Sequence, residues 1–290
     1  MGRPAVDDEV VRRVARRLGA AGVPSPTTDA RLLVEHVVEV FGSAAGCGGH
    51  LLDGLVDRRA ARVPLQQVIG RTWFRTLELV CAPGVFVPRP ETEIVAGEAI
   101  ALAAAAGRAP RVVEPCTGSG AITCALVAEV PGVEVVASDV DPVAVELART
   151  NLARTLAGEA DPDAPAPGAR GRVVPGDLLD PVDPAWRGLV DVLVANPPYL
   201  PAADRASWSP EVRHDPEPAL VGGADGHEVV DRLLHLASSW LRPGGSVVIE
   251  LDDRRGDDAV AVALRAGLVH PRLVRDLTGR DRAVVAESAR

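Results

Sequence analysis

The residues best suited to chemistry in this chain form the short run Asn-Pro-Pro-Tyr at positions 196–199. They directly follow the apolar segment 190–195, which predicts a buried strand that must end at the prolines, because proline cannot donate a ladder hydrogen bond. The Asn196 side-chain oxygen and the Pro197 carbonyl can each accept a hydrogen bond from an N–H group, and Tyr199 can stack on a planar group. Such a clamp suits a weakly nucleophilic amide nitrogen that must be oriented before it attacks an electrophilic carbon, so that catalysis is mainly positioning. A plain strand-to-loop exit is the simpler alternative.

A glycine turn after the predicted strand 111–114 forms a second candidate site. Gly118 and Gly120 allow a ligand to approach the backbone closely. Asp139 follows Gly120 by 19 residues and ends the next predicted strand, where its carboxylate can accept hydrogen bonds from both hydroxyls of a ribose. The turn and the acid together indicate a cofactor that contains adenosine.

The residues around this turn distinguish between two such cofactors. A dinucleotide fingerprint requires a third Gly or Ala where this chain has Thr123, and it places a pyrophosphate at the helix N-terminus. Glu114 ends the strand beside the turn, where a carboxylate would repel a pyrophosphate but attract a sulfonium or an amino group. The sequence therefore favours S-adenosylmethionine over NAD. Asp177 is placed to accept a hydrogen bond from the adenine amino group, and a role as a turn or cap residue is equally compatible with its position.

Alternating strand and helix signals from residue 111 onward predict the elements that position these candidates. Strands are predicted at 111–114, 133–138, 172–175, 190–195, 245–251, 271–276 and 282–287, and helices at 93–106, 120–129, 141–156, 226–241 and 256–267. This alternation predicts an α/β fold with a seven-stranded, mostly parallel, doubly wound sheet, whose strand carboxyl ends carry the ligand site. The Ala-, Pro- and Gly-rich segment 158–171 predicts a solvent-exposed loop insertion without chemistry.

The region before this alternation predicts a small helical domain at 1–72, a β-hairpin linker at 73–90 and a catalytic domain at 91–290. Helices are predicted at 7–18, 29–41 and 51–62, with Leu32, Leu33, His36, Val37 and Val40 facing inward in the second. The first helix carries an arginine face, which is either a solvated surface or a partner-binding face: Arg12, Arg13, Arg16 and Arg17. The proline-rich run 85–93 predicts a stiff wall of the site, with Glu91 or Thr92 as the cap of the following helix.

Composition limits the class of function. The chain has 290 residues, a net charge of -9 and a pI of about 5.2, so a broad nucleic-acid footprint is disfavoured. Its four cysteines have no metal-ligand spacing and predict no metal site, and reduced thiols are typical of a cytoplasmic protein. Met1–Pro4 is followed by charged residues rather than by an apolar segment, which predicts no signal peptide. No apolar stretch approaches the ~20 residues that are needed to span a bilayer.

These motifs resemble those of the bacterial peptide chain release factor N5-glutamine methyltransferases. The matching stretches are 29–33, 64–70, 83–93, 117–122, 196–199, 211–213, 222–226 and 275–282. The Asn-Pro-Pro-Tyr motif is shared with methyltransferases that act on amino groups of DNA, RNA and proteins. The Pro-Arg-Pro-Glu-Thr-Glu segment at 88–93 and the N-terminal helices make the resemblance much more specific.

The resemblance implies a Rossmann-like class I methyltransferase fold, S-adenosylmethionine as cofactor, and methylation of the side-chain amide of the glutamine in a Gly-Gly-Gln loop of release factors. The N-terminal helices would contribute to recognition of that protein, and a monomer without direct nucleic-acid or membrane partners is expected. Together with the reasoning above, it predicts as cofactor-binding residues Glu114, Cys116, Thr117, Gly118, Ser119, Gly120, Asp139, Asp177, Leu178 and Asn196. The predicted substrate-binding residues are Asn196, Pro197, Pro198, Tyr199, Arg89 and Glu91, of which Asn196, Pro197 and Tyr199 are predicted to be catalytic.

The chain departs from the family pattern at three places. Glu114-Pro115-Cys116 replaces the usual Asp-Leu-Gly, Leu178 replaces a common aromatic residue, and the loop at 158–171 is longer. These departures leave open the same chemistry on another acceptor, such as a free amino acid, a small amide or guanidine, or a different protein. A nucleic-acid methyltransferase is disfavoured by the acidic charge. A non-catalytic binding module would predict damage to Asn196 or to the glycine turn, and both are intact.

Overall fold

The computed structural model describes residues 6–42, 47–107, 109–161 and 163–289, and the side chain of Cys47 is also outside the description. Met1–Pro4, which bears on the signal-peptide prediction, therefore lies outside the described residues. The chain divides into two compact units: Met1–Arg71 with Ser209–His214, and Thr72–Trp208 with Asp215–Arg290. The segment Ser209–His214, which the sequence placed inside the catalytic domain, thus groups with the first unit, and the predicted linker 73–90 groups with the second.

The first unit is helical. Its helices are α1 (Asp8–Ala20), α2 (Pro26–Phe41), α3 (Cys47–Ala60) and α4 (Leu65–Ile69), the last of which the sequence analysis missed. In α2 the predicted inward positions Leu32 and Val40 are wrong, since they are 37% and 57% exposed. Ala30 and Val34 are buried instead, while Leu33 and Val37 are buried as predicted, so the apolar stripe is rotated by about a quarter of a turn relative to the prediction.

A buried ion cluster anchors the segment Ser209–His214 within this unit. The Arg59 guanidinium donates to Asp29 Oδ2 at 2.7 Å and to Glu211 Oε1 at 3.0 Å. Arg62 Nε donates to the same Glu211 oxygen at 2.7 Å. Glu211 is only partly buried, and its two arginine partners join its segment to the helices of the first unit.

The second unit begins with a hairpin of β1 (Arg71–Phe74) and β2 (Leu77–Val80), whose first residue belongs to the first unit. The remaining elements are α5 (Thr92–Ala105), β3 (Arg111–Pro115), α6 (Ala121–Glu129), β4 (Glu134–Asp139), α7 (Pro142–Leu156), β5 (Arg170–Pro175), β6 (Val190–Ala195), α8 (Glu228–Trp240), β7 (Leu241–Glu250), α9 (Gly256–Arg265), β8 (Leu268–Arg275) and β9 (Asp281–Ser288).

The large sheet confirms the predicted fold class. Within the described residues it has seven strands in the order β5-β4-β3-β6-β7-β9-β8. The pairs from β5 to β7 are parallel, and β9 pairs antiparallel with both β7 and β8. One core packs α5, α6 and α7 against one face, and a second core packs α8 and α9 against the other. Burial on both faces explains why the central strands are continuous apolar runs.

Two local predictions fail for identifiable reasons. The segment 158–171 is not simply a solvent-exposed insertion, because Ala160 and Ala164 are buried in the core beside α6 and α7 and Ala166 is buried as well. The Ala166 N–H donates to the Val127 carbonyl at 3.0 Å, so small residues allow this segment to pack closely. The α5 helix begins at Thr92 with no side-chain cap, and the Thr92 hydroxyl is engaged elsewhere. Among the described helices, none is long and apolar enough to cross a membrane.

Candidate active site

Most of the predicted site residues lie at the carboxyl ends of the parallel strands. In the sheet, β3 is flanked by β4 and β6, and β7 follows β6. The glycine turn follows β3, Asp139 ends β4, and Asn196 follows β6. Because these strands are parallel, their carboxyl ends share one edge of the sheet. The β3–β6 pairing places the strand that leads to Asn196 directly beside the strand that leads to the glycine turn.

The turn after β3 is built from unusual backbone conformations. Cys116, Gly118 and Gly120 all have positive φ angles, of 59°, 54° and 82°. A Cβ atom at Gly120 would lie 3.1 Å from Ala148 Cα in α7, whereas one at Gly118 would meet nothing within 4 Å. Gly120 therefore allows α6 and α7 to pack closely, while Gly118 leaves an open backbone surface that a ligand can reach.

The end of β4 holds this turn and the loop after β5 in place. Asp139 Oδ2 accepts a hydrogen bond from the Gly118 N–H at 2.8 Å, and the Asp139 carbonyl accepts one from the Gly176 N–H at 2.9 Å. The Ser138 carbonyl accepts from the Thr117 N–H at 3.0 Å, and the Ser138 hydroxyl donates to the Leu178 carbonyl. Two residues of β4 thus fix both of these loops, which the sequence analysis assigned to the cofactor.

Glu114 is fully enclosed at the end of β3. It is 1% exposed, and its carboxyl group accepts a hydrogen bond from the Thr123 hydroxyl. Burial raises the pKa of Glu114 to about 8, against hydrogen bonds that favour the charged form. Thr123, at the position where a dinucleotide fingerprint has Gly or Ala, therefore serves as a hydrogen-bond donor to this acid.

The other predicted cofactor residues differ in exposure. Asp177 is half-buried and forms an ion pair with Arg232 Nη2 at 2.6 Å, while Leu178 is 5% exposed and has a positive φ of 47°.

In the turn after β3, Thr117 and Ser119 are buried, and the Ser119 carbonyl accepts a hydrogen bond from Asn151 Nδ2 at 2.9 Å. Burial raises the pKa of the Cys116 thiol, so this cysteine stays protonated at neutral pH.

These residues fit an adenosine-containing cation. Gly118 leaves space beside the backbone, and the Asp139 carboxylate has lone pairs beyond the two backbone N–H groups that it accepts from Gly118 and Asp141. The neighbouring Val140 is 64% exposed, which offers an apolar surface to a purine. Acidic groups at Glu114, Asp139 and Asp177 surround the turn, which suits a positively charged ligand and opposes a pyrophosphate.

The Asn196 side chain has a defined orientation. Its Nδ2 donates to the Thr92 hydroxyl oxygen at 3.1 Å, and Thr92, the first residue of α5, is 3% exposed. With its NH2 group bound to Thr92, Asn196 keeps its side-chain oxygen as an acceptor. Pro197 is buried, while Asn196, Pro198 and Tyr199 are partly exposed. The acceptor oxygen required by the amide clamp is thus available.

Tyr199 is bound to a buried acid that the sequence analysis did not single out. Its hydroxyl donates to Glu250 Oε1 at 3.1 Å, and Glu250 is the last residue of β7. Burial raises the pKa of Glu250 to about 7, and burial together with the Glu250 charge raises the pKa of Tyr199 well above its usual value. Tyr199 therefore remains a neutral phenol.

A glycine-rich loop at 220–228 packs directly against the backbone of the Asn-Pro-Pro-Tyr run. The Leu200 N–H donates to the Leu220 carbonyl at 2.8 Å, and the Gly222 N–H donates to the Leu200 carbonyl at 3.1 Å. A Cβ at Gly222 would lie 2.4 Å from the Pro198 carbonyl oxygen, and one at Gly226 would lie 2.3 Å from the Tyr199 carbonyl oxygen. Only glycine permits this approach, so the loop sets the position of the run.

The predicted wall residues Arg89 and Glu91 each form an ion pair. The Arg89 guanidinium binds Asp215, whose side chain is fully buried, and lies 4.9 Å from the Phe86 ring centroid. Glu91 Oε1 lies 3.9 Å from Arg282 Nη2 on β9. The charges of Arg282 and Arg89 both act on the Tyr199 phenol. The structure thus brings these predicted residues together with Arg282, which the sequence analysis did not single out.

Sequence reasoning missed Thr92 and Glu250 for different reasons. Thr92 was interpreted as a helix cap, which is what its position suggests. Glu250 was included in a strand, although an acid that ends an apolar strand was the same signal that identified Glu114 and Asp139. In the part of the chain that the structure describes, no group of His, Cys, Asp or Glu side chains has the arrangement of a metal site.

Comparisons with known proteins identify the family. A family profile described as "Methyltransferase small domain" matches residues 76–207. The release factor glutamine methyltransferase of Deinococcus radiodurans is 38% identical over 97% of this chain and 98% of its own length. The one from Streptomyces coelicolor is 42% identical over 85% of each chain. A methyltransferase structure from Pyrococcus furiosus shares the fold, with a TM-score of 0.54 and 20% identity over 81% of this chain and 99% of that one. The chain therefore belongs to the release factor glutamine methyltransferase family.

Proposed function

We propose that this chain transfers a methyl group from S-adenosylmethionine to the side-chain amide nitrogen of the glutamine in the Gly-Gly-Gln motif of peptide chain release factors. The observation that carries this proposal is the orientation of Asn196, whose NH2 group is bound to Thr92. Its remaining oxygen and the Pro197 carbonyl form a pair of acceptors for the two N–H groups of a primary amide. The family of the chain supplies the identity of the acceptor protein.

The cofactor site in this proposal is the edge formed by the turn after β3 and the end of β4. S-adenosylmethionine supplies a methyl group activated by a positively charged sulfur. Asp139 accepts hydrogen bonds from the ribose hydroxyls, Val140 contacts the purine, and Glu114 favours positive charge beside the turn. Asp177 and Leu178 border the adenine, with Cys116–Gly120 supplying the backbone surface.

The acceptor site in this proposal works by positioning. Asn196 and Pro197 hold both amide hydrogens, which fixes the plane of the glutamine amide and directs its electron density at the methyl carbon. Tyr199 stacks on the amide plane, and Pro198, Arg89 and Glu91 line the approach. The proton leaves the nitrogen after transfer, so no strong general base is needed.

The helical unit is the proposed site of release-factor recognition. The curated relatives match this chain over nearly its whole length, including residues that form the helices. The exposed arginines of α1 are candidates for contact with an acidic surface of that protein. The proposal places the enzyme in the cytoplasm, as a monomer that binds neither nucleic acid nor membrane directly.

The test is a methyl-transfer assay with labelled S-adenosylmethionine and two forms of a purified release factor. One form has the intact Gly-Gly-Gln motif, and the matched control has its glutamine changed to alanine. Label on the intact form alone supports the proposal. Equal label on both forms, or label on neither while the cofactor binds, contradicts it and favours a different acceptor.

A further inference from the structure

We infer that Glu250 is a positioning residue for methyl transfer: its carboxyl group holds the Tyr199 phenol and, through Thr92, fixes the orientation of the Asn196 amide. This inference rests on the proposed function, because it assigns a role in the same acceptor site. In this role Glu250 does not contact the reacting atoms. It acts only through the side chains of Tyr199, Thr92 and Asn196.

The sheet register brings these groups together. Ala195 of β6 pairs with Ile249 of β7, so the next residue of each chain segment, Asn196 or Glu250, lies at the same edge of the sheet. Thr92 reaches the same point from the first turn of α5, where it meets Asn196 Nδ2 at 3.1 Å. The Tyr199 hydroxyl returns to Glu250 Oε1 at 3.1 Å. Three side chains from two other segments therefore converge on the buried carboxyl group of Glu250.

The direction of the hydrogen bonds at Thr92 determines which way the Asn196 amide faces. The Thr92 hydroxyl oxygen accepts from Asn196, so its single hydrogen must be donated to another group. We assign that hydrogen to Glu250, because its Oε2 atom has no other partner among the described residues and the Thr92 hydroxyl lowers its pKa. If that acceptor is lost, the Thr92 hydrogen can turn to the Asn196 oxygen. The Asn196 amide would then flip and present a donor to the substrate amide, which also donates.

Burial of an acid here has no evident structural benefit. Glu250 is 1% exposed, and its Oε2 atom has no partner other than the Thr92 hydroxyl among the described residues. A buried carboxyl group destabilises a fold relative to an apolar side chain, even when it accepts hydrogen bonds. Its position beside Tyr199 and Thr92, rather than its contribution to stability, therefore accounts for its presence.

Burial and the polar groups around Glu250 together place its pKa at about 7, near physiological pH. Glu91 at the start of α5 raises its pKa, while Arg282 on β9 and the Thr92 and Tyr199 hydroxyls lower it, and burial is the largest cause of the net shift to about 7. Arg89 and Arg282 also act on Tyr199. The hydrogen-bond chain is thus complete when Glu250 is ionised.

Kinetics of three variants test the role in positioning. Glu250→Gln and Thr92→Val are each expected to lower kcat for the release factor at least about tenfold and to leave the S-adenosylmethionine Kd within about twofold. The matched control is Asp191→Asn, a buried acid in β6 that is 3% exposed and binds Arg242 at 2.5 Å. Asp191 lies near the opposite end of β6, so this variant should lose stability without losing kcat. Similar kcat in all three variants and the wild type would overturn the inference.

A spectroscopic measurement tests the same contact without activity. The chain has a single tyrosine, so isotope-labelled tyrosine gives one NMR signal, from Tyr199. In the wild type this signal is expected to shift with pH around the Glu250 pKa of about 7, and Glu250→Gln should abolish that shift. A signal that titrates equally in both proteins would overturn the inference.

The two measurements separate this inference from the proposed function. If the wild type labels no release factor, the proposed function fails, while loss of the Tyr199 titration in Glu250→Gln still supports the Glu250 contact. If the wild type labels the release factor and Glu250→Gln keeps full kcat, the proposed function stands and the positioning role of Glu250 is wrong.

Discussion

The two halves of the active-site edge are built in different ways. Around β3 and β4, the proposed cofactor site consists mainly of backbone: positive φ angles at Cys116, Gly118 and Gly120, and N–H groups held by the end of β4. After β6, the proposed acceptor site consists of side chains that hold one another, from Asn196 to Thr92 and from Tyr199 to Glu250.

This difference separates two tasks. A backbone turn can surround a cofactor whose shape never changes, and glycine provides the necessary conformations. An amide acceptor must be recognised by the direction of its hydrogens, which requires an oriented side-chain oxygen and partners that prevent it from flipping. We therefore expect substitutions after β6 to reduce the methyl-transfer rate and substitutions around β4 to reduce cofactor affinity.

The largest effect is expected for Asn196→Ala. This change removes an acceptor that orients the substrate amide, and loss of one such preorganised hydrogen bond lowers kcat by about 10²–10³. The S-adenosylmethionine Kd should change by less than about threefold. Steady-state kinetics and isothermal titration calorimetry on the same preparation measure the two quantities. Equal losses in both would mean that Asn196 mainly shapes the cofactor pocket.

Gly222→Ala is expected to have the next largest effect. The new Cβ would lie 2.4 Å from the Pro198 carbonyl oxygen, so the Asn-Pro-Pro-Tyr run must move, and a displacement of about 1 Å can cost about 10² in rate. The matched control is Gly97→Ala in α5, where the nearest atom would be the flexible end of Arg75 at 3.5 Å. A kcat for Gly222→Ala as high as that of Gly97→Ala would show that this loop does not set the position of the run.

Asp139→Asn should show the reverse pattern. The substitution removes a charged acceptor for the ribose and introduces an NH2 group opposite the Gly118 N–H, which we expect to raise the cofactor Kd by about tenfold or more. At saturating cofactor, kcat should stay within about threefold of the wild type. The exposed Asp180, on the same loop as Asp177, provides a control through Asp180→Asn. If Asp139→Asn lowered kcat without changing the cofactor Kd, the proposed division between a cofactor site and an acceptor site would be wrong.

The smallest effect concerns pH. Glu114 has a pKa raised to about 8 by burial, so the carboxyl group is largely protonated at neutral pH, and a cationic ligand must favour its ionised form. S-adenosylmethionine affinity should therefore rise several-fold between about pH 6 and about pH 8. In the absence of cofactor, the same shift means that Glu114 lowers the stability of the fold as pH rises from 4.5, its ordinary pKa, to about 8. Glu114→Gln should remove both dependences, which calorimetric titrations and denaturant unfolding across this pH range can measure.

Much of the fold and of the backbone-built half was predictable from sequence. Apolar runs that end in Glu114, Asp139 and Asn196 identify parallel strands and the edge where they meet. Glycines in a strand-to-helix turn identify a place where backbone must approach a ligand. These signals are local, so each can be read from a few neighbouring residues.

The side-chain half was less predictable because its contacts join distant segments. Asn196 and Thr92 are 104 residues apart, and Tyr199 and Glu250 are 51 apart, so their pairing depends on strand order. The same reason explains the error at 158–171, where a composition typical of an exposed loop packs into the core through small alanines. In α2, the buried stripe includes Ala30 and Val34, whereas the apolar residues Leu32 and Val40 are exposed. The sequence pattern alone therefore fits two different inward faces of this helix.

The most direct test of the central claim is to locate the transferred methyl group. The enzyme is incubated with deuterium-labelled S-adenosylmethionine and a release factor, and fragments of the Gly-Gly-Gln peptide are then analysed by mass spectrometry. The amide clamp formed by Asn196 and Pro197 predicts a single label on the glutamine side-chain nitrogen. A label on any other residue of that protein, or on a backbone nitrogen, would contradict it.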